Sequence, residues 1–199
     1  MLRIIKSYKF QLIKIIYFEF KYFIRGYKGF KFNFSKNSKM TDNIPCPYFF
    51  LSKIKKHLEK NDFFRLVELG CGEGRTIDFF NKNFSQKKFV GIEYFSKQYK
   101  NCKKNFKKNK NIEIIQADFT KIDIFKYDPD YFFIGAPFKY KSEFVNFMNK
   151  TINSSNKKIF FIIANYSKKT IENIKNIEFI ESFYINENTG YSICCSAKI

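Results

Sequence analysis

From residue 63 onward, short apolar runs alternate with segments in which apolar residues return every three or four positions. The runs predict strands over 65–69, 88–93, 112–116, 130–134, 158–164, 178–184 and 191–198. The segments between predict helices over 75–83, 96–108, 118–125, 141–152 and 168–175. Strictly alternating strands and helices imply βαβ units, a parallel sheet and right-handed crossovers. The last two strands have no helix between them, and the loop 186–190 reads as a hairpin that adds an antiparallel pair at the sheet edge. Upstream, residues 2–25 form one amphipathic pattern. Arg3, Ser7, Lys14, Lys21 and Arg25 fall in a narrow stripe at 3.6 residues per turn. Ile5, Tyr8, Leu12, Ile15, Ile16 and Phe23 cover the other side, while Lys9 and Glu19 interrupt the pattern. Gly26 and Gly29 supply a helix stop. A polar, basic connection over 30–47 ends in two prolines, Pro45 and Pro47, which bias the chain to extended backbone. A helix then covers 48–58, with Phe50, Leu51, Ile54 and Leu58 on one side. The chain thus divides into a helix with its connection, 1–47, and a domain, 48–199.

The first strand of that domain ends in Leu66-Val67-Glu68-Leu69 and runs into Gly70-Cys71-Gly72-Glu73-Gly74-Arg75. Glycine lacks Cβ and tolerates positive φ, so such a turn is sharp and lets a ligand lie against bare backbone. The helix that follows would aim free N–H groups at an anion. A dinucleotide fingerprint, G-x-G-x-x-G, requires a third glycine where this chain has Arg75. The stretch instead resembles the first motif of class I S-adenosylmethionine-dependent methyltransferases, an acid followed by Gly-x-Gly-x-Gly. The resemblance covers roughly residues 45–199. It implies a Rossmann-like, seven-stranded, mostly parallel sheet with a C-terminal antiparallel hairpin and helices on both faces, here preceded by the amphipathic helix. The implied cofactor is S-adenosylmethionine.

Ligands of open α/β sheets bind outside the carboxyl ends of the strands, at the switch in strand order. The second strand ends at Glu93, about 20 residues past the glycines, where an acid holds ribose hydroxyls; the bland alternative is a solvent-facing glutamate. By the resemblance, Asp118 faces the adenine amine and Ala117 and Phe119 border the ring, although Asp118 also suits a helix N-cap. The cofactor set so implied is Glu68, Gly70, Cys71, Gly72, Gly74, Glu93, Tyr94, Ala117, Asp118, Phe119 and Gly135. The fourth strand ends at Gly135-Ala136-Pro137-Phe138, where the family places its acceptor. Enzymes that methylate base amines or glutamine amides carry Asn/Asp-Pro-Pro-aromatic there. This chain keeps only Pro137 and Phe138, which leaves the acceptor open and allows both residues a packing role instead. Tyr48, Pro137, Phe138 and Tyr140 are the candidate walls of an acceptor pocket, and no residue stands out as a general base.

Composition changes this picture in two respects. The formal net charge of +19 favours an anionic partner, RNA or an acidic membrane surface, through basic faces such as 97–108. Part of it can equally reflect the heavy use of Lys, Asn, Ile and Phe, whose codons are AT-rich, and a charge run is often a solvated helix face. The helix over 2–25 has the same two readings, a cap docked on the domain or a strip laid on a membrane surface. The five cysteines form no C-x-x-C pair and His57 is the single histidine, so no metal site is expected and the pattern suits a cytoplasmic protein. No apolar run approaches the length of a membrane span. The basic leader, proline-bearing loop and helix before the glycine turn look loosely like membrane-proximal protein-lysine methyltransferases. The expected function is methyl transfer from S-adenosylmethionine to an unidentified acceptor, a protein lysine or other nitrogen. The alternative is a non-catalytic module that binds S-adenosylmethionine or RNA.

Overall fold

A computed structural model of the chain describes residues 2–27, 45–187 and 189–197. The connection expected over 30–47 lies, up to residue 44, outside the described residues, as does Gly29. The elements run α1 (Leu2–Ile24), α2 (Tyr48–Leu58), β1 (Arg65–Leu69), α3 (Arg75–Asn83), β2 (Lys88–Glu93), α4 (Ser96–Asn105) and β3 (Ile112–Gln116). After a short 3₁₀ turn (Phe125–Tyr127) come β4 (Tyr131–Ile134), α5 (Lys141–Ser154), β5 (Phe160–Ala164), α6 (Lys168–Glu172), β6 (Ile177–Asn186) and β7 (Thr189–Ser196). The seven strands form one sheet in the order β3-β2-β1-β4-β5-β7-β6. β1 to β5 pair in parallel, and β7 pairs antiparallel with both β5 and β6. This is the Rossmann-like α/β sheet with a C-terminal antiparallel hairpin that the sequence implied. Strand order reverses between β1 and β4, so the crevice at the switch point opens between these two.

Alternation along the central strands divides the apolar residues between two cores. Leu66 and Phe133 face one side with Phe50, Ile54, Phe79 and Phe80 of α2 and α3, and with Cys102 of α4. Val67, Leu69, Phe132 and Ile134 face the other with Phe144, Met148 and Ile152 of α5 and Ile171 of α6. Each such side chain contributes about 1.5–3 kcal/mol on burial, which is why these continuous apolar runs are strands in the middle of the sheet.

Several boundaries differ from expectation for local reasons. Asp130 does not enter β4; its carboxylate accepts the N–H of Phe64 (2.6 Å) and Arg65 (2.8 Å) and pins the entry to β1. The helix expected over 118–125 is absent. Asp118 Oδ1 instead accepts from Thr120 N (3.0 Å) and Thr120 Oγ1 (2.6 Å), and Asp123 Oδ1 accepts from Phe125 N (2.9 Å). Such side-chain turns compete with helix for the same backbone groups. α4 stops at Asn105 rather than 108, and β6 and β7 extend further into the hairpin than expected.

Helix α1 docks on the domain through Glu19, which interrupts its pattern, and through aromatic residues beside it. Glu19 accepts the N–H of Tyr48 (2.9 Å) and pairs with Arg75 (2.5 Å). Tyr22 packs on Phe79 with ring centroids 5.2 Å apart and Phe18 on Phe49 at 5.4 Å. Lys82 Nζ donates to Gly26 O (2.8 Å), and Asn83 Nδ2 to Tyr27 Oη (3.2 Å). Leu12, Ile13, Ile16, Tyr17, Phe20, Phe23 and Ile24 lie on the opposite side of α1, 56–67% exposed.

Candidate active site

The glycine turn is built as its spacing demands. Gly70, Gly72 and Gly74 all have positive φ (80°, 53° and 80°), a conformation that costs other residues about 1–2 kcal/mol. Gly70 N and Cys71 N donate to Ile92 O (2.9 and 3.1 Å), tying the turn to the end of β2. Ala117 N donates to Glu93 O (3.1 Å), which ties the loop after β3 to the same strand end. Three successive strand ends are therefore stitched together by backbone bonds alone.

Glu93 sits at this junction and is 6% exposed. Its Oε2 accepts the N–H of Gly72 (2.7 Å) and its Oε1 that of Phe95 (2.8 Å). Burial raises its pKa above the ordinary 4.5, and the surrounding backbone N–H groups pull the other way. The solvent-facing alternative for Glu93 is thereby removed. Asp118 lies beyond it. Burial alone would raise its pKa, but the Thr120 hydrogen bonds and the Lys121 cation (3.5 Å) outweigh this and carry it below the ordinary range. Because no helix follows it, Asp118 is an anchor for a turn rather than an N-cap.

An open cleft of about 600 Å³ lies against Asp118 and is lined by Tyr94, Phe119, Thr120, Lys121, Pro137, Phe138, Glu143, Asn146, Phe147 and Lys150. Its size suits a cofactor or small substrate. Its wall is aromatic: Phe119 meets Phe138 edge-on at 5.5 Å and Phe147 at 5.2 Å. Phe138 is held from behind, where its backbone N–H donates to Tyr166 Oη (3.3 Å) and the Tyr166 ring stacks on Phe144 at 3.7 Å. Just before it, Ala136 adopts φ 55°, a conformation rare for a residue with a Cβ.

The structure brings together Tyr94, Asp118, Phe119, Pro137 and Phe138 around the cleft, whereas Ala117, Glu93 and the glycines of the turn lie outside its lining. It corrects other expectations. Tyr48 is fully buried beneath the Arg75 guanidinium, 3.8 Å from its ring, so it is a core residue rather than a pocket wall. Tyr140 is 53% exposed at the start of α5 and outside the cleft lining. Gly74 owes its identity to packing as well as to φ, since a Cβ there would lie 2.4 Å from Phe106 and 2.6 Å from Cys102 Sγ. Cys71 turns its thiol inward to 4.0 Å from Cys102 Sγ, which raises its pKa together with burial, so only its backbone faces the turn. Glu68 is buried within β1, and Gly135 has room for a Cβ, with Phe133 at 3.5 Å as its nearest neighbour.

Sequence reasoning missed the α5 side of the cleft. Glu143, Asn146, Phe147 and Lys150 recur at helical spacing along one side of α5, a signal present in the chain. Tyr166 and Gly91 were missed too. A Cβ on Gly91 would lie 2.6 Å from Ile77 and 2.8 Å from Cys71 Sγ, so this strand glycine lets α3 and the turn approach β2. Among the described residues, no group of three His, Cys, Asp or Glu is placed to hold a metal ion.

Comparison with known proteins agrees with this geometry. Residues 66–155 match a family model described as a methyltransferase domain. No curated protein sequence matches the chain. Among solved structures, a SAM-dependent O-methyltransferase from Thermotoga maritima superposes with a TM-score of 0.55 at 17% identity, over 75% of this chain and 64% of that one. A SAM-dependent methyltransferase from Aquifex aeolicus gives 0.58 at 14% identity, over 73% and 89%. A variant of MtNAS solved in complex with S-adenosylmethionine gives 0.55 at 11% identity, over 75% and 62%. The chain thus spans about two thirds or less of two of these proteins and most of the third. Residues 66–155 are thus similar to a methyltransferase domain, and the chain shares the fold of the S-adenosylmethionine-dependent methyltransferases.

Proposed function

We propose that this protein transfers a methyl group from S-adenosylmethionine to a nitrogen acceptor, such as a protein lysine. The observation that carries the reading is Glu93, a buried carboxylate fixed at 2.7 Å from the N–H of Gly72 in a turn of three positive-φ glycines. The residues present fit the cofactor. The bare backbone of Gly70–Gly74 and the first turn of α3 would receive its carboxylate end, Glu93 its ribose hydroxyls, and Asp118 with Phe119 its adenine. When bound, the sulfonium supplies an already activated methyl group.

The chain's own residues do the rest by positioning and exclusion. Phe119, Phe138 and Phe147 keep water from one wall of the cleft. A nitrogen acceptor must be neutral to attack, and an apolar wall disfavours the ammonium form. Glu143 and Asn146, on the α5 side of the cleft beside Phe147, offer oxygen acceptors to an N–H or O–H of the acceptor. Tyr166 and the strained Ala136 fix the backbone that carries Phe138. The basic faces of the chain support an anionic partner in addition to the acceptor.

Transfer of labelled methyl from S-adenosylmethionine into fractionated lysate, resolved by molecule class, tests the proposal. Label in protein or another nitrogen-bearing fraction supports it; absence of both transfer and cofactor binding by calorimetry refutes it. A second reading, a non-catalytic binding module, is favoured by Gly135-Ala136, where the related motif has a polar side chain. Tight cofactor binding with no transfer to any fraction would select it.

A further inference from the structure

Seven of the twelve exposed large hydrophobic side chains among the described residues lie on α1. They form one continuous face that spans about 140° of the helix at 3.6 residues per turn. The charges on the helix complete the pattern. Residues 11–27 carry three cations, Lys14, Lys21 and Arg25, and one acid, Glu19. Glu19 is turned inward and paired with Arg75, so every other formal charge of the segment is positive.

We propose that α1 lies flat on an acidic lipid surface, its apolar face in the headgroup boundary and its cations against the anionic headgroups. Charge complementarity selects this occupant. A second copy of the chain would bring two molecules of net charge +19 together through their basic helices, which repel. The face is also wider than the two-in-seven seam of a helix pair. No described helix is long and apolar enough to cross a membrane, which leaves α1 in the plane of the surface.

The docking of α1 gives this contact a direction. Glu19 meets Arg75, Tyr22 meets Phe79 and Gly26 meets Lys82, so α1 runs parallel to α3. Residues 2–18 therefore continue about 25 Å beyond the first turn of α3, toward the strand ends where the crevice opens. The proposal does not rest on methyl transfer.

Sedimentation of the full chain with vesicles tests it, using phosphatidylcholine alone and phosphatidylcholine mixed in equal parts with phosphatidylserine. Binding is expected to be at least about tenfold stronger to the mixed vesicles and to weaken as salt is raised. The double variant Ile16→Glu, Phe20→Glu, which leaves the docked side of α1 intact, should lose at least about tenfold of that binding with an unchanged melting temperature. S-adenosylmethionine affinity, measured on the same samples, keeps a failure here distinct from a failure of the cofactor reading. Three outcomes would overturn the proposal: binding indifferent to phosphatidylserine, a double variant that binds as the parent does, or a doubled mass in light scattering that the double variant abolishes, which would make a second copy the occupant.

Discussion

Glu93→Gln is the sharpest perturbation of the site, because it keeps shape and removes only charge and one acceptor. The carboxylate accepts two backbone N–H groups, from Gly72 and Phe95. A glutamine amide accepts at its oxygen alone and turns its NH₂ toward the second N–H. A buried donor left without an acceptor costs about 1–3 kcal/mol. Relief of a buried charge, whose cost is visible in the raised pKa of Glu93, offsets part of this. A net loss of about 1–2 kcal/mol is expected, a fall in Tm of about 2–8 °C for a chain of this size. Cofactor binding should fall further. Hydrogen bonds to a charged acceptor contribute about 1.5–3 kcal/mol against about 0.5–1.5 for a neutral one. Two ribose hydroxyls then lose about 2–3 kcal/mol together, a 30- to 160-fold rise in Kd. Thermal melting and calorimetry with S-adenosylmethionine measure the two effects separately. A variant that melts lower but binds as tightly as the parent would remove Glu93 from the cofactor site, and unchanged values in both would show that the carboxylate does not hold the turn either.

Three other expectations follow from the geometry. Gly74→Ala meets a φ of 80° and a side chain 2.4 Å away, so a loss of about 2–5 kcal/mol in urea unfolding is expected; a change below 1 kcal/mol would show that α4 yields freely. Glu19→Ala removes a charge-assisted hydrogen bond to Arg75 and one to Tyr48 N, and should cost about 1.5–3 kcal/mol. Limited proteolysis should then cut α1 faster, and an unchanged rate would place its docking elsewhere. Glu93 also sets a pH dependence: a carboxyl with a raised folded pKa favours the fold fully below its unfolded value and loses that contribution as pH rises through the folded one. Ribose hydroxyls favour the ionised form, so S-adenosylmethionine affinity by calorimetry should decline as pH falls from neutral toward 4.5, and Glu93→Gln should flatten the decline.

The parallel sheet was readable because its strands are buried on both sides and so stand out as short runs such as Tyr131–Ile134. The glycine turn was readable because positive φ and close approach restrict residue type. The rest depended on contacts between distant segments. Nothing local marks Tyr48 as a residue packed under Arg75, because that arrangement needs α1, α2 and α3 assembled. The interruption at Glu19 looked like noise until its partner, 56 residues away, was in place. The stretch after Asp118 misled for a different reason. Its apolar spacing suits a helix, while two aspartates divert the backbone into turns.

The inward-facing thiols of Cys71 and Cys102 equip the glycine turn with a built-in clock. An alkylating reagent reaches neither sulfur until the loop swings away from the helix behind it, so the speed of labelling counts how often that happens. A nucleoside resting on residues 70–74 would slow the clock, giving a readout of occupancy that requires no methyl acceptor to be known.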